Sequence, residues 1–217
     1  MKVALIMFYD ENIKEYGDIN FKINKMYCNK YNIDIIVSNE KKYKDRHPAW
    51  ERLPFILENI KQYDYLIWID ADAFFYYEAE NIINVIENNA GKNFIFSNDI
   101  KNNNVNTGIF IVKNSKYSID FLNIWAYDDT LFINNHYPYW WDQGVLIDMM
   151  EQNILDIQNN SVFIDYGILQ HFYETELLEI KKPFIYHMAG RDKETRILIS
   201  QNYLNIVNIL MELEEET

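Results

Sequence analysis

The stretch from Tyr65 to Phe75 constrains the fold more than any other part of the chain, because an apolar run ends there in two acids. Tyr65–Ile69 is a run of large apolar side chains, and Asp70 and Asp72 follow it directly. The run predicts a strand that is buried on both faces, as in the centre of an α/β sheet. The carboxylates predict the end of burial, because an unpaired charge inside a core is very costly.

Asp70 and Asp72 also predict a ligand site at this end of the strand. Residues two apart on an extended chain point to the same side, which brings the two carboxylates together. Ligands of open α/β sheets bind beyond the carboxyl ends of the strands. Paired hard oxygens suit a divalent cation, and a bound cation suits a phosphate. His187 ends a later apolar run, and its imidazole beside the acids would favour Mn²⁺ over Mg²⁺, which prefers oxygen ligands.

Alternating apolar and amphipathic segments predict an α/β protein. The chain opens with a strand over 2–9, a break at Gly17, a helix capped by Asp18 and a strand over 33–37. This β-α-β order predicts parallel pairing through a right-handed crossover. The further predicted helices cover 54–62, 81–89, 118–126, 141–152 and 198–214, and the further strands cover 94–97, 108–112, 161–166 and 183–187, with a turn at 102–104 and a loop over 127–138. Because no repeat or linker interrupts the pattern, we expect one domain over residues 1–217.

Composition excludes several classes of function. The chain has 217 residues, of which 49% are hydrophobic, so it can bury a core. Its formal net charge of −13 argues against binding nucleic acid or an anionic membrane through bulk attraction. No segment predicts a membrane span. Cys28 is the single cysteine, which excludes an intramolecular disulfide and fits a reducing compartment, so we expect a cytoplasmic protein.

Glycine is scarce, and this limits how the chain can hold a phosphate. There are six glycines, and none are spaced as in a GxGxxG or phosphate-binding loop. A metal and side chains would have to hold any phosphates. Arg191 and Lys193, just beyond His187, are candidates for neutralising a diphosphate, with a basic surface turn as the alternative.

Two further polar segments are candidates for substrate contacts. Trp140–Gly144 combines two aromatic rings with an acid and an amide, which suits a sugar site, although a helix start with buried indoles would look the same. Ser97–Asp99 and Asn106–Gly108 are polar residues at predicted strand ends, where turn chemistry is the alternative. The remaining histidines have no partner spacing and are predicted to lie on the surface: His47, His136 and His171.

Taken together, these segments resemble glycosyltransferase family 34, whose members are galactosyl- and xylosyltransferases of the GT-A fold. The motifs that carry the resemblance are His47-Pro48-Ala49-Trp50, Trp68-Ile69-Asp70-Ala71-Asp72-Ala73, Asn106-Thr107-Gly108-Ile109-Phe110, Trp141-Asp142-Gln143 and His187 with Gly190. The resemblance implies a Rossmann-like, mixed but mainly parallel central sheet with flanking helices. Two features depart from the family: Arg52 stands where a lysine is expected, and we expect no membrane anchor. We therefore expect a viral or bacterial version, in the host cytoplasm if viral.

The resemblance implies a metal-dependent transferase that moves a hexose or pentose from a UDP-sugar to a glycan or glycoprotein acceptor, with retention at the anomeric carbon. It implies that Asp70, Asp72 and His187 hold Mn²⁺ or Mg²⁺. It implies donor contacts from Tyr9, Asp70, Ala71, Asn106, Gly190, Arg191 and Lys193, with Tyr9 stacking on the uracil. Asp142 and Gln143 would face the transferred sugar. If the reaction inverts instead, a general base is needed, and Asp99 and Asp142 are the candidates.

Three other classes of protein use similar residues. An Asp-x-Asp phosphatase uses its first acid as a phosphoryl nucleophile. That class expects the motif on the first strand and a Thr or Val where this chain has Phe74. A non-catalytic carbohydrate-binding protein would use the aromatic rings but would not need two acids beside a late histidine. A nucleotidyltransferase would have a Gly-Ser lead-in, which is missing here.

Overall fold

A computed structural model describes residues 1–99, 105–172 and 183–215. The strands are β1 (Val3–Phe8), β2 (Asp34–Ser38), β3 (Tyr65–Ile69), β4 (Ala73–Phe75), β5 (Phe94–Asn98), β6 (Val105–Lys113), β7 (Ser161–Ile164), β8 (Gln170–His171) and β9 (Ile185–His187). The α-helices are α1 (Lys14–Lys30), α2 (Arg52–Asn59), α3 (Ile83–Asn88), α4 (Lys116–Tyr127), α5 (Asp129–Ile133), α6 (Trp141–Glu151), α7 (Ile157–Asn160) and α8 (Lys193–Glu215). Short 3-10 helices cover Pro48–Glu51, Ile60–Gln62, Pro138–Trp140 and Ile154–Asp156.

The strands form one large and one small sheet. The large sheet has the order β2-β1-β3-β6-β5-β7, and β6 runs antiparallel to both of its neighbours. The other pairs, β1 with β2, β1 with β3, and β5 with β7, are parallel. The small sheet has the order β4-β9-β8. The predicted mixed, mainly parallel α/β sheet is confirmed.

The strand β3 lies in the middle of the large sheet and is buried on both faces, as predicted. Leu66 and Trp68 pack into the core on one face, together with side chains of α2, α4 and α6. Tyr65, Ile67 and Ile69 pack into the core on the other face, with side chains of α1 and α3. Because residues of a strand alternate between its faces, only a continuous apolar run can fill both cores.

The first helix begins earlier than predicted, and this corrects the roles of Gly17 and Asp18. Helix α1 starts at Lys14, so both residues lie inside it. Gly17 is needed for close packing, because a Cβ atom there would lie 2.7 Å from the ring of Tyr9. Asp18 accepts a hydrogen bond from the Tyr9 hydroxyl at 3.0 Å. Tertiary packing, and not a chain break, therefore explains these two residues.

Three other predictions are wrong in detail. The expected loop over 127–138 contains the short helix α5, because Asp128 caps it by accepting from two backbone N–H groups. Helix α8 begins at Lys193, five residues earlier than predicted. His171 is fully buried in β8 and stacks on Tyr186, so it is not a surface residue. The predicted turn at 102–104 lies outside the described residues. No helix in the described ranges is long and apolar enough to cross a membrane.

Candidate active site

The acids after β3 lie on a turn, which corrects the extended geometry expected for them. The backbone N–H of Ala73 donates to the Asp70 carbonyl at 3.0 Å, so the chain reverses between the two acids. Two buried asparagines of α1 hold the turn: Asn20 donates to the Ala71 carbonyl at 2.8 Å, and Asn24 donates to the Ala73 carbonyl at 3.1 Å. The carboxylates still face one site, and it is the turn that sets their separation.

Strand pairing brings His187 to the same place. In the antiparallel β4–β9 pair, His187 lies opposite Ala73, and the Met188 N–H donates to the Asp72 carbonyl at 2.9 Å. One ligand atom from each of Asp70, Asp72 and His187 lies within 4.8 Å of the other two. Two carboxylate oxygens and one imidazole nitrogen are a donor set that suits Mn²⁺.

The imidazole of His187 is held from two sides. Its Nδ1 lies 2.9 Å from Oε1 of Gln170, a fully buried side chain in the neighbouring strand β8. Since an amide oxygen only accepts, Nδ1 donates to Gln170, and Nε2 is the nitrogen that faces Asp72. On the other side, a Cβ atom on Gly108 would overlap the ring of His187. Glycine at position 108 therefore leaves the space that the imidazole occupies.

Arg52 is a buried cation that links two of the acids. Its guanidinium lies 3.2 Å from Oδ1 of Asp70 and 3.3 Å from Oδ2 of Asp142. It also donates to the backbone carbonyl of Thr107. The Trp68 indole N–H donates to Asp70 as well, at 2.8 Å. Asp70 is therefore already held by two donors from the protein.

Arg196 is a second cation at the site, and it comes from α8. Its Nη2 lies 2.8 Å from Oδ2 of Asp72, while Oδ1 of Asp72 lies 3.4 Å from Nε2 of His187. Arg196 also donates to the Tyr16 hydroxyl at 3.2 Å and to the Met188 carbonyl at 3.3 Å. The guanidinium is thus fixed beside the candidate metal ligands.

These neighbours shift the pKa values of the two acids in opposite directions. Burial alone would raise the pKa of Asp72, but the nearby His187 and Arg196 outweigh it and lower the pKa to about 2. For Asp70, burial dominates and raises the pKa, although Arg52 acts against it. The repulsion between the two carboxylates raises the pKa of Asp70 further.

Asp142 and Gln143, at the start of α6, face the same space. Asp142 is only 1% exposed, and burial raises its pKa to about 7 although Arg52 acts in the opposite direction. Gln143 accepts a hydrogen bond from the Thr107 N–H at 3.0 Å. The side chain of Asn106 accepts from the Gly108 N–H at 2.9 Å, so the polar residues of β6 shape the floor of the site.

Exposed aromatic rings stand at the edge of the site, and we call Tyr139, Trp140 and Trp141 the aromatic ledge. They are 87%, 42% and 44% exposed, respectively. Trp141 stacks on His47 with ring centres 3.8 Å apart, and Trp140 stacks on Tyr137 at 5.4 Å. One face of each indole is therefore covered and the other is open. Trp141 has a φ of 50°, a costly backbone conformation that these contacts must support.

A cavity of about 840 Å³ joins the acids to the aromatic ledge. This volume lies within the range of small-molecule sites. The following residues that the sequence singled out line it: Asp70, Ala71, Asp72, Asn106, Asp142, Gln143, His187 and Gly190. His47, which was predicted to be a surface residue, lines it as well.

Four of the predicted site residues do not line this cavity. Tyr9 packs over Gly17 and lines a separate cavity of about 210 Å³. Lys193 lies 3.6 Å from Glu15 on α1. Arg191 and Asp99 are not among the described residues that form the wall of the larger cavity.

Sequence reasoning missed Arg196 and Gln170 and gave Arg52 no role. Arg196 lies inside an amphipathic helix, and Gln170 lies in a two-residue strand, so neither has a local signal. Arg52 stood out only as a departure from the family 34 pattern. Each of these residues contacts an acid or the histidine of the site, and that partner is remote in the sequence.

Comparison with known families and curated proteins gives one match. A family model described as a protein of unknown function, DUF273, matches residues 24–146. A search of curated proteins finds no match. Membership of glycosyltransferase family 34 is not confirmed and stays a prediction.

Several solved structures are similar to this chain over most of its length. A glycosyltransferase involved in the glycosylation of the major capsid of PBCV-1 is 13% identical, with a TM-score of 0.75, and the match covers 93% of this chain and 99% of that chain. The glycosyltransferase GlyE of Streptococcus pneumoniae TIGR4 is 13% identical, with a TM-score of 0.60 and coverages of 94% and 63%. The galactosyltransferase LgtC, in complex with donor and acceptor sugar analogs, is 12% identical, with a TM-score of 0.57 and coverages of 93% and 95%. At these identities the similarity establishes the fold, and the predicted GT-A fold is confirmed.

Proposed function

The chain belongs to the family described as a protein of unknown function, DUF273, and from its fold and site we propose that it is a metal-dependent glycosyltransferase. In this proposal it moves a hexose or pentose from a UDP-sugar to a glycan or glycoprotein acceptor, with retention. The observation that carries the proposal is the cluster of Asp70, Asp72 and His187 beside a cavity of about 840 Å³. The similar structures support it, because all three are described as glycosyltransferases.

The residues at the cluster fit a divalent cation. The three ligand atoms lie within 4.8 Å of one another, and they are two oxygen donors and one nitrogen donor, a set that Mn²⁺ accepts. Gly108 leaves room for the imidazole of His187. Gln170 accepts a hydrogen bond from Nδ1 of that ring, the nitrogen that points away from Asp72. A divalent cation held there would supply Lewis-acid stabilisation of the leaving diphosphate.

The protein's own side chains have distinct tasks in this proposal. Arg52 and Arg196 place positive charge near the leaving phosphates, where guanidinium groups bind phosphate oxygens well. Asp142 and Gln143 face the transferred sugar. Among the candidate bases, Asp142 is the acid that lines the cavity, and its pKa of about 7 would let it hold or release a proton near neutral pH.

A phosphatase of the Asp-x-Asp type receives less support. Its first acid must be free to attack phosphorus, whereas Asp70 accepts a hydrogen bond from Trp68 and pairs with Arg52.

The proposed compartment is the cytoplasm. The one cysteine, Cys28, is a buried free thiol in α1, and a reducing compartment suits a free thiol.

A donor screen tests the proposal. We expect a UDP-sugar with Mn²⁺ to raise the melting temperature by roughly 5–10 °C at a concentration about 100 times its Kd, and EDTA to remove the effect. UDP-sugars should also be hydrolysed slowly. The measurement is thermal denaturation with UDP-, GDP- and ADP-sugars and with UMP, each with and without Mn²⁺. If no nucleotide sugar changes the melting temperature, or if UMP without metal gives the same shift, the proposal is wrong.

The aromatic ledge supports a glycan acceptor. Its rings carry no charge, and sugar rings stack their apolar C–H faces on open indole faces. We expect Tyr139→Ala and Trp140→Ala each to raise the KM for a glycan acceptor roughly 3- to 10-fold, and to leave donor hydrolysis unchanged. Steady-state kinetics with acceptor and donor varied separately would measure this. Tyr127→Ala is the control, because Tyr127 is 52% exposed and does not line the cavity. Equal acceptor KM values for all variants would contradict the assignment.

A further inference from the structure

We propose that Arg196 couples the binding of the metal to the binding of the nucleoside diphosphate. In the metal-free protein, the guanidinium of Arg196 supplies the positive charge that faces Asp72. When the metal site is filled, Arg196 releases Asp72 and faces the diphosphate. Each ligand alone then binds weakly, and both together bind tightly. This inference rests on the proposed function.

The contacts of Asp72 carry the first step. One carboxylate oxygen lies 2.8 Å from Nη2 of Arg196, and the other lies 3.4 Å from Nε2 of His187. Each carboxylate oxygen therefore has one close polar neighbour, and Asp72 is only 13% exposed. A metal ion held by Asp72 and the guanidinium of Arg196 would draw on the same negative charge, so the binding of one weakens the attraction of the other to this acid.

The charges around the cluster carry the second step. Asp70 shares the guanidinium of Arg52 with the buried Asp142, and Asp72 faces that of Arg196, so both ligand acids already face a cation. Adding a dication between them brings two positive charges close to two guanidinium groups in a partly buried site, where repulsion is strong. A diphosphate supplies the missing negative charge. The charges at the site are therefore closer to balance with both ligands bound, or with neither, than with the metal alone.

The position of Arg196 carries the third step. The residue lines the main cavity beside Gly190, and its side chain is 21% exposed, so the guanidinium can reach a ligand in the cavity without leaving α8. Because Met188 and Tyr16 hold Nε and Nη1, only Nη2 has to exchange the Asp72 carboxylate for a phosphate oxygen. Lys193, in contrast, faces Glu15 and lies outside the cavity wall.

The test is a binding cycle on Arg196→Met, which keeps the length of the side chain and removes its charge. We expect the affinity for Mn²⁺ alone to rise roughly 5- to 150-fold, the usual range of a coupling between two sites. We expect the affinity for UDP at saturating Mn²⁺ to fall. Free Mn²⁺ is measured by electron paramagnetic resonance, and UDP binding is measured by isothermal titration calorimetry. A variant that merely loses structure would bind both ligands more weakly.

Two further variants make the result specific. Lys25→Met removes one positive charge from the exposed face of α1, and it should leave both affinities unchanged. Arg196→Lys keeps the charge, and it should bind Mn²⁺ alone nearly as weakly as the wild type. If Arg196→Met and the wild type have equal affinity for Mn²⁺ alone, or if the variant has the lower affinity, the coupling is refuted while the proposed function stands. If the wild type fails to bind UDP even with Mn²⁺, the proposed function itself falls.

Discussion

Gly108→Ala is expected to abolish Mn²⁺-dependent UDP binding, because the added methyl group takes the space of the His187 ring. The new Cβ would overlap that ring and would lie 2.9 Å from Oδ1 of Asn106. The ring has no room to move, because it is 4% exposed and hydrogen-bonded to Gln170. Phe172 packs edge-on against it, with ring centres 5.4 Å apart. We expect a loss of about 1–3 kcal/mol in the free energy of unfolding from overpacking, and a loss of UDP affinity of about 100-fold.

Gly91→Ala is the matched control, because nothing lies within 4 Å of a Cβ at that position. It should keep both the stability and the UDP affinity of the wild type. Urea denaturation gives the free energy of unfolding, and calorimetry gives the affinity. A double-mutant cycle adds a sharper criterion: in a His187→Ala background, Gly108→Ala should cost much less stability, because its main clash is gone. Full UDP affinity in Gly108→Ala would show that the imidazole is not a ligand.

Asp72→Asn is expected to remove the binding of UDP with Mn²⁺ while the protein stays folded. The change replaces a charged ligand with a neutral amide and leaves Arg196 without its carboxylate at 2.8 Å. We expect the free energy of unfolding at pH 7 to fall by about 2–3 kcal/mol, from the lost charge-assisted contacts. Donor hydrolysis should disappear with the binding.

The loss of stability in Asp72→Asn should depend on pH, and the sign of this dependence follows from the pKa of Asp72. Because the pKa of Asp72 is lowered to about 2, its stabilising effect is present above its ordinary value near 4 and is lost as the pH falls toward 2. The stability difference between the wild type and Asp72→Asn should therefore narrow over that window. Asp120→Asn, an exposed acid on α4 that pairs with Lys116, is the control. A difference that stays constant from pH 7 to pH 3, or unchanged UDP binding in Asp72→Asn, would contradict the assignment.

Much of the framework was accessible from the sequence, because it depends on local patterns. The apolar run Tyr65–Ile69 predicts a strand that is buried on both faces, and the structure confirms it. The β-α-β opening predicts that β1 and β2 pair in parallel, and the structure confirms this as well. The least accurate predictions were at segment ends, as at Gly17 and Asp18, where packing on Tyr9 replaced the expected chain break.

The surroundings of the acids could not be predicted, because they depend on contacts between remote segments. Asn20 and Asn24 hold the turn from one helix, and Arg196 approaches Asp72 from another. Gln170 orients His187 through a strand of only two residues. None of these side chains stands out in its own segment, since an isolated polar residue in a helix or a short strand is usually a surface residue.

By itself, the sequence determined that a buried central strand ends in two acids, because an apolar run must be covered on both faces and charged groups cannot follow it into the core. Only the tertiary structure decided what those acids face. Charges pair through space and not along the chain, so the choice of Arg52 and Arg196, and not Lys193, depended on where α2 and α8 pack.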